Sequence, residues 1–235
     1  MSLTPYTVNY KRAGDIFPPP QTGSNILNWD LKTKGVNALT DWLDAEKFTG
    51  VLKASSDHQK FRGAILLYAG WCVGALYAGL NQEAIKHTHK ALPALLTQLN
   101  KDDSTQIQIY ELPESIVLPF SSAFIGQFME PAQTESPIQM AKYFIDHIKD
   151  LPRHSLITMK TLSESANELC LVYFFWGKIS GYFLVERQEF STDKVFPEFV
   201  LSDAIEAKIH LSILSPEIAG VYSGNARFGF PLIIE

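Results

Sequence analysis

Gly63 to Leu80 reads GAILLYAGWCVGALYAGL, a run with no formally charged side chain. Its length raises the question of a membrane span. Gly70 and Gly74 also have the small-xxx-small spacing of packed membrane helices. The competing reading is two short strands joined by a tight turn at Gly70. Aromatic and β-branched residues suit strands, and glycine readily supplies the positive φ of a hairpin turn.

A second, similarly apolar run, Leu169 to Val185, helps to choose between them. Gly70 aligns with Gly177, and Gly74 with Gly181, at a common offset of 107 residues. Lys53 falls on Lys160 at the same offset. In the second run Lys178 directly follows the turn glycine. A lysine at mid-membrane depth is costly, whereas at a hairpin turn it is solvated. The sequence therefore predicts a hairpin in both places and no membrane span.

The 235 residues suit one or two domains. An apolar fraction of 46% and a charged fraction of 19% are ordinary for a globular chain able to bury a core without staples. The net charge of −5, without a cluster of lysine and arginine, argues against nucleic acid. Cys72 and Cys170 form neither a CxxC nor a disulfide framework, so they read as buried thiols in a reducing cytoplasm. The start MSLTPYTVNYKRAG lacks the apolar core of a signal peptide.

Residues 1–35 read as an extended, proline-containing segment, in which Phe17-Pro18-Pro19-Pro20 forms a strap or spacer. The first α+β repeat is read over 36–129. It opens with a helix whose apolar face is Val36, Leu39 and Leu43. A strand from Phe48, the first hairpin, a helix over 82–99 interrupted by Pro93, and a strand over 105–111 follow. Pro113 and Pro119 leave 112–129 ambiguous. Residues 130–137 read as a linker, and 138–235 as the second repeat. Ser136-Pro137 looks like a helix cap, with Ala141, Phe144, Ile145 and Ile148 on the buried face. A strand over 156–161, the second hairpin, a charged loop over 186–194, a helix over 197–207 and a strand through Ile209, Leu211 and Ile213 complete it.

The order helix, strand, hairpin, helix, strand thus occurs twice. Pro113-Glu114 aligns with Pro216-Glu217, and Gly126 with Gly229, at an offset of 103. At that offset the inward residues of the last strand slip by one, which would reverse its faces. The expected fold is α+β: two tandem similar units, each an antiparallel sheet with helices on one face, related by a pseudo-two-fold.

At Phe48-Thr49-Gly50-Val51-Leu52, followed by Ile65 to Tyr68, Gly70 and Ala75, the first unit resembles the PatA-type amino-terminal (PATAN) domain. The second unit shows the hairpin half of that pattern at Phe174, Gly177 and Ile179, and has Ser155-Leu156-Ile157 in place of the TGxL strand. The resemblance implies a non-enzymatic role in protein–protein contacts of cyanobacterial signalling, including control of surface motility.

Catalytic motifs give no competing lead. There is no G-x-S-x-G, G-x-G-x-x-G or P-loop. His87 and His89, two apart on a helix, face different ways. His58 follows Asp57 and His147 follows Asp146, but neighbours in sequence need not be acid–base partners. Glu114 and Glu217 each follow a proline, where a carboxylate favours a helix start. No catalytic, cofactor-binding or metal-ligating residue is assigned. Trp71, Tyr77, Trp176 and Tyr182 lie in or beside the hairpins and are read as core or inter-unit packing, or as a partner-binding patch if exposed together. The reading is a cytoplasmic, non-catalytic interaction or regulatory protein with a protein partner. The alternative is a small-molecule binder or enzyme with a pocket between the repeats.

Overall fold

The computed structural model describes residues 12–21, 23–80, 88–129, 136–163, 167–202 and 204–215. Among these the chain divides into two compact units, 12–117 and 118–215. The first contains β1 (Ile26–Trp29), α1 (Leu31–Ala45), β2 (Gly50–Ser56), β3 (Phe61–Tyr68), β4 (Trp71–Gly79), α2 (Thr88–Lys101) and β5 (Gln106–Glu111). Helix α3 (Glu114–Ile125) runs across the division. The second contains β6 (Gln127–Met129), α4 (Pro137–Lys149), β7 (Ser155–Leu162), β8 (Asn167–Phe175), β9 (Lys178–Leu184), β10 (Glu189–Ser191), α5 (Phe199–Ser202) and β11 (Glu206–Ile213).

Both apolar runs are hairpins. Ala69 and Gly70 have φ of 50° and 84°, and Trp176 and Gly177 have 50° and 75°. Positive φ at both central positions is the type I′ geometry, whose twist matches that of the flanking strands. Glycine is needed second in each turn for a further reason. A Cβ on Gly70 would lie 3.1 Å from the Leu43 carbonyl oxygen, and one on Gly177 would lie 2.9 Å from that of Ile148. Each turn is thus seated on the end of the helix before it. No helix among the described residues is long and apolar enough to cross a membrane, and Gly63 to Leu80 is two strands.

Both sheets are antiparallel throughout, ordered β1-β5-β2-β3-β4 and β10-β9-β8-β7-β11-β6. Without β10, the second order matches the first strand for strand. Register agrees as well. Leu66 faces Gly74 and Leu67 faces Cys72, leaving Val73 as a bulge; Tyr173 faces Gly181 and Phe174 faces Ile179, leaving Ser180. The bulges are 107 residues apart.

This register settles the disputed last strand. Lys53 faces both Ala64 and Gln108. Its place in the second sheet, opposite Leu171 and His210, belongs to Thr158 rather than Lys160. The connecting loops are equally long, and one extra residue pair in the β7–β8 ladder accounts for the two-residue difference. Ile107 and Ile109 then correspond to Ile209 and Leu211 at an offset of 102, and the buried faces agree. Pro216, Glu217 and Gly229 lie outside the described residues.

Other expectations change too. Segment 26–29 belongs to a sheet rather than to an extension. Residues 127–129 pair with β11, so they join the second unit and not the end of the first. Pro119 is accommodated inside α3 and Pro93 inside α2. The helix read over 197–207 shrinks to four residues, because Glu206 already pairs with Leu162. A short strand, β10, lies within the charged loop and pairs with β9.

Each unit has a helix-covered core. In the first, Leu39 and Leu43 of α1 and Leu95, Leu96 and Leu99 of α2 bury Leu52, Ile65, Ile107 and Ile109. In the second, Phe144 and Ile148 of α4 bury Ile157, Val172, Phe174 and Leu211. Ser136 caps α4 by accepting from the Gln139 amide at 3.3 Å, and the Gln139 side chain accepts in return from the Ser136 amide. That reciprocal pair satisfies two orphan donors and sets where the helix begins.

Candidate functional site

The four aromatics singled out from the sequence meet different fates. Tyr77 is a core residue, 7% exposed, with its ring 6.0 Å from that of Phe61. Trp71 is half-buried at the start of β4, opposite Tyr68. Tyr182 is half-buried against the second core, and its ring meets Phe199 edge-on at 6.2 Å. Trp176 is 55% exposed at the second turn, where its ring lies 4.7 Å from His154. Along β9, at about 3.3 Å per residue, Tyr182 lies well away from Trp176. The second unit also exposes Tyr143, Val195, Phe199 and Ile205. Of these, the loop 192–198 that carries Val195 gave no periodic signal, because its apolar residues follow no sheet or helix spacing.

The acidic and histidine candidates are engaged elsewhere. Asp57 pairs with Arg62 at 2.6 Å, and Asp146 with Lys149 at 2.7 Å. The His147 ring stacks on Tyr143 at 6.3 Å. Glu114 accepts from the Tyr68 hydroxyl at 2.8 Å. Burial, with Glu114 adding to it, pushes that phenol up to about 12. His87 lies outside the described residues. No group of three or more potential metal ligands occurs among the described residues. Cys170 is buried and Cys72 half-buried; burial pushes the Cys72 thiol up to about 12, and raises that of Cys170 as well. Neither has the lowered pKa of a reactive cysteine.

Among the described residues, the cation most perturbed by burial is Lys53. Lys53 on β2 points away from the helices. Its Nζ donates to the Phe17 carbonyl at 3.2 Å and lies 5.7 Å from the centre of the Tyr110 ring. Burial lowers it from 10.5 to about 8, against the opposing pull of Asp15. The folded chain therefore binds fewer protons than the unfolded chain between those pH values, and stability rises with pH across that window. Below pH 8 the full penalty applies, on the order of 3 kcal/mol. Lys53→Met should be the more stable protein at pH 7, with its advantage shrinking as pH rises toward 10. Urea midpoints at several pH values check this, and parallel curves for the two proteins would refute it.

No family model, curated protein or solved structure matches this chain.

Proposed function

We propose that the chain is a non-catalytic interaction protein that docks a protein partner through its second unit, with Trp176 as the anchor. One observation carries the reading. A large indole is held 55% exposed at φ 50°, a conformation that costs a non-glycine residue about 1 kcal/mol. The matching position in the first turn is Ala69. Neither the fold nor the turn calls for tryptophan there, and tryptophan is the residue most enriched at interface hot spots. A regulatory role of the PATAN kind, in signalling or motility control, belongs to the same proposal and rests on the hairpin pattern.

Trp176→Asn tests it, since asparagine tolerates the left-handed region and keeps the turn. Wild-type chain immobilised in native lysate should recover a stoichiometric partner. The variant should lose about 30-fold in affinity for it, the scale of a hot-spot truncation. Failure of the wild type to recover such a partner, or equal capture by both proteins, would overturn the proposal.

A further inference from the structure

We propose that the face of the first sheet around Lys53 and Tyr110 is a binding groove for an extended, proline-containing peptide, and that Phe17-Pro18-Pro19-Pro20 fills it in cis as a stand-in for a partner's segment. The contacts have the chemistry of such recognition. Proline has no amide hydrogen, so a chain of this composition is held through its carbonyls and an apolar anchor rather than by strand pairing. The Tyr110 hydroxyl donates to the Pro18 carbonyl at 2.6 Å, and Lys53 donates to the adjacent Phe17 carbonyl. Phe17 is fully buried. Residues 18–21 join no strand, and the turn that leads to them is closed locally by Asp15 N–H to the Arg12 carbonyl and Phe17 N–H to the Gly14 carbonyl.

The architecture does not demand this donor pair. In the second sheet the corresponding positions are Thr158 and Ser212, neither of which can reach out in this way. Lys53 also makes the strap easier to displace than its buried area implies. The strap covers a cation whose hydrogen-bonded partner is a neutral carbonyl, with Asp15 the acidic group facing it from the strap itself. Lifting the strap returns that ammonium to water, which offsets part of the lost contact. A partner segment would therefore compete with a weakened internal one. This groove lies on the first unit and does not depend on the docking surface proposed for the second.

A fluorescent peptide of residues 12–21 is the probe, and the full-length chain the receptor. Wild-type chain should bind it weakly, because the tethered copy acts at an effective concentration in the millimolar range. Full-length Phe17→Ala, with its own anchor removed, should bind at least about tenfold more tightly and with one-to-one stoichiometry. Adding Tyr110→Phe should weaken that binding about fivefold, as loss of one hydrogen bond would. A Phe17→Ala chain that is folded by circular dichroism yet ignores the peptide would overturn the proposal, as would binding indifferent to Tyr110→Phe. Should Phe17→Ala not fold, a protease site placed at 22–24 and cut after folding replaces it. The peptide should then exchange with the severed strap, and failure to exchange would sink the idea. Exchange of straps between copies, seen as a concentration-dependent dimer without added peptide, would identify the occupant as a second copy and overturn the partner reading.

Discussion

Gly50→Ala is expected to be the most damaging small substitution in the first unit, costing about 4 kcal/mol from backbone strain and overpacking together. Gly50 opens β2 at φ 154°, between Leu67 of β3 and Glu111 of β5. An added Cβ would stand 2.2 Å from the Tyr110 carbonyl oxygen, 2.9 Å from the Glu111 Cα and 3.0 Å from the Leu112 amide nitrogen. All three are backbone atoms, so no rotamer change relieves the clash and β5 itself must move. Tyr110 and Leu112 are buried, which leaves β5 little room. A thermal midpoint lowered by about 10 °C is the expected reading, at roughly 2–4 °C per kcal/mol for a chain of this size. A shift under about 2 °C would refute this account. The Thr-Gly pair of the quoted motif gains a structural explanation. The Thr49 hydroxyl accepts from the Ala69 amide at 2.9 Å and steadies the hairpin turn, while Gly50 lets β5 come close. The second sheet carries a buried Ser155 at Gly50's place, so Ser155→Ala should be mild by comparison.

Phe144→Ala should cost the second unit about 3–5 kcal/mol, the range for deleting a buried phenylalanine. Phe144 projects from the middle of α4 into a cluster with Ile157, Val172, Phe174 and Leu211, and almost none of its surface reaches water. The lost burial and the cavity left behind both count, because aromatic and β-branched neighbours collapse poorly. Since the chain has two compact units, its unfolding need not be two-state. Separate probes are required: fluorescence of Trp176 for the second unit, and of Trp29, Trp42 and Trp71 for the first. A urea midpoint that falls in the Trp176 signal is the expected result. A loss below about 1 kcal/mol would show that α4 does not hold the sheet as described.

Much of the fold was legible because a few residues carry unambiguous physical instructions. Ser136, Pro137 and Gln139 announce a capped helix. The 3.6-residue spacing of Val36, Leu39 and Leu43 announces another. Strand β1 was missed because Ile26, Leu27 and Asn28 are exposed at a sheet edge and show no apolar alternation. The apparent helix over 197–207 failed because pairing with β7 outweighed local propensity there. Of the four hairpin aromatics, the sequence could not say which were covered. Tyr77 and Trp176 look alike in composition, and one lies in a core while the other stands in water.

From the chain alone came two glycine-hinged ribbons in place of a membrane span, since a lysine beside the second turn is costly at mid-membrane depth and solvated at a bend. The same reading supplied the repeated order of elements, because apolar period and turn chemistry are local properties. Tertiary structure decided the register between strands and hence the true correspondence of the two sheets, which depends on hydrogen bonds between distant segments. It also decided the burial of Lys53 beneath Phe17 and Pro18. No pattern in one dimension shows which side chain a remote backbone carbonyl will cover.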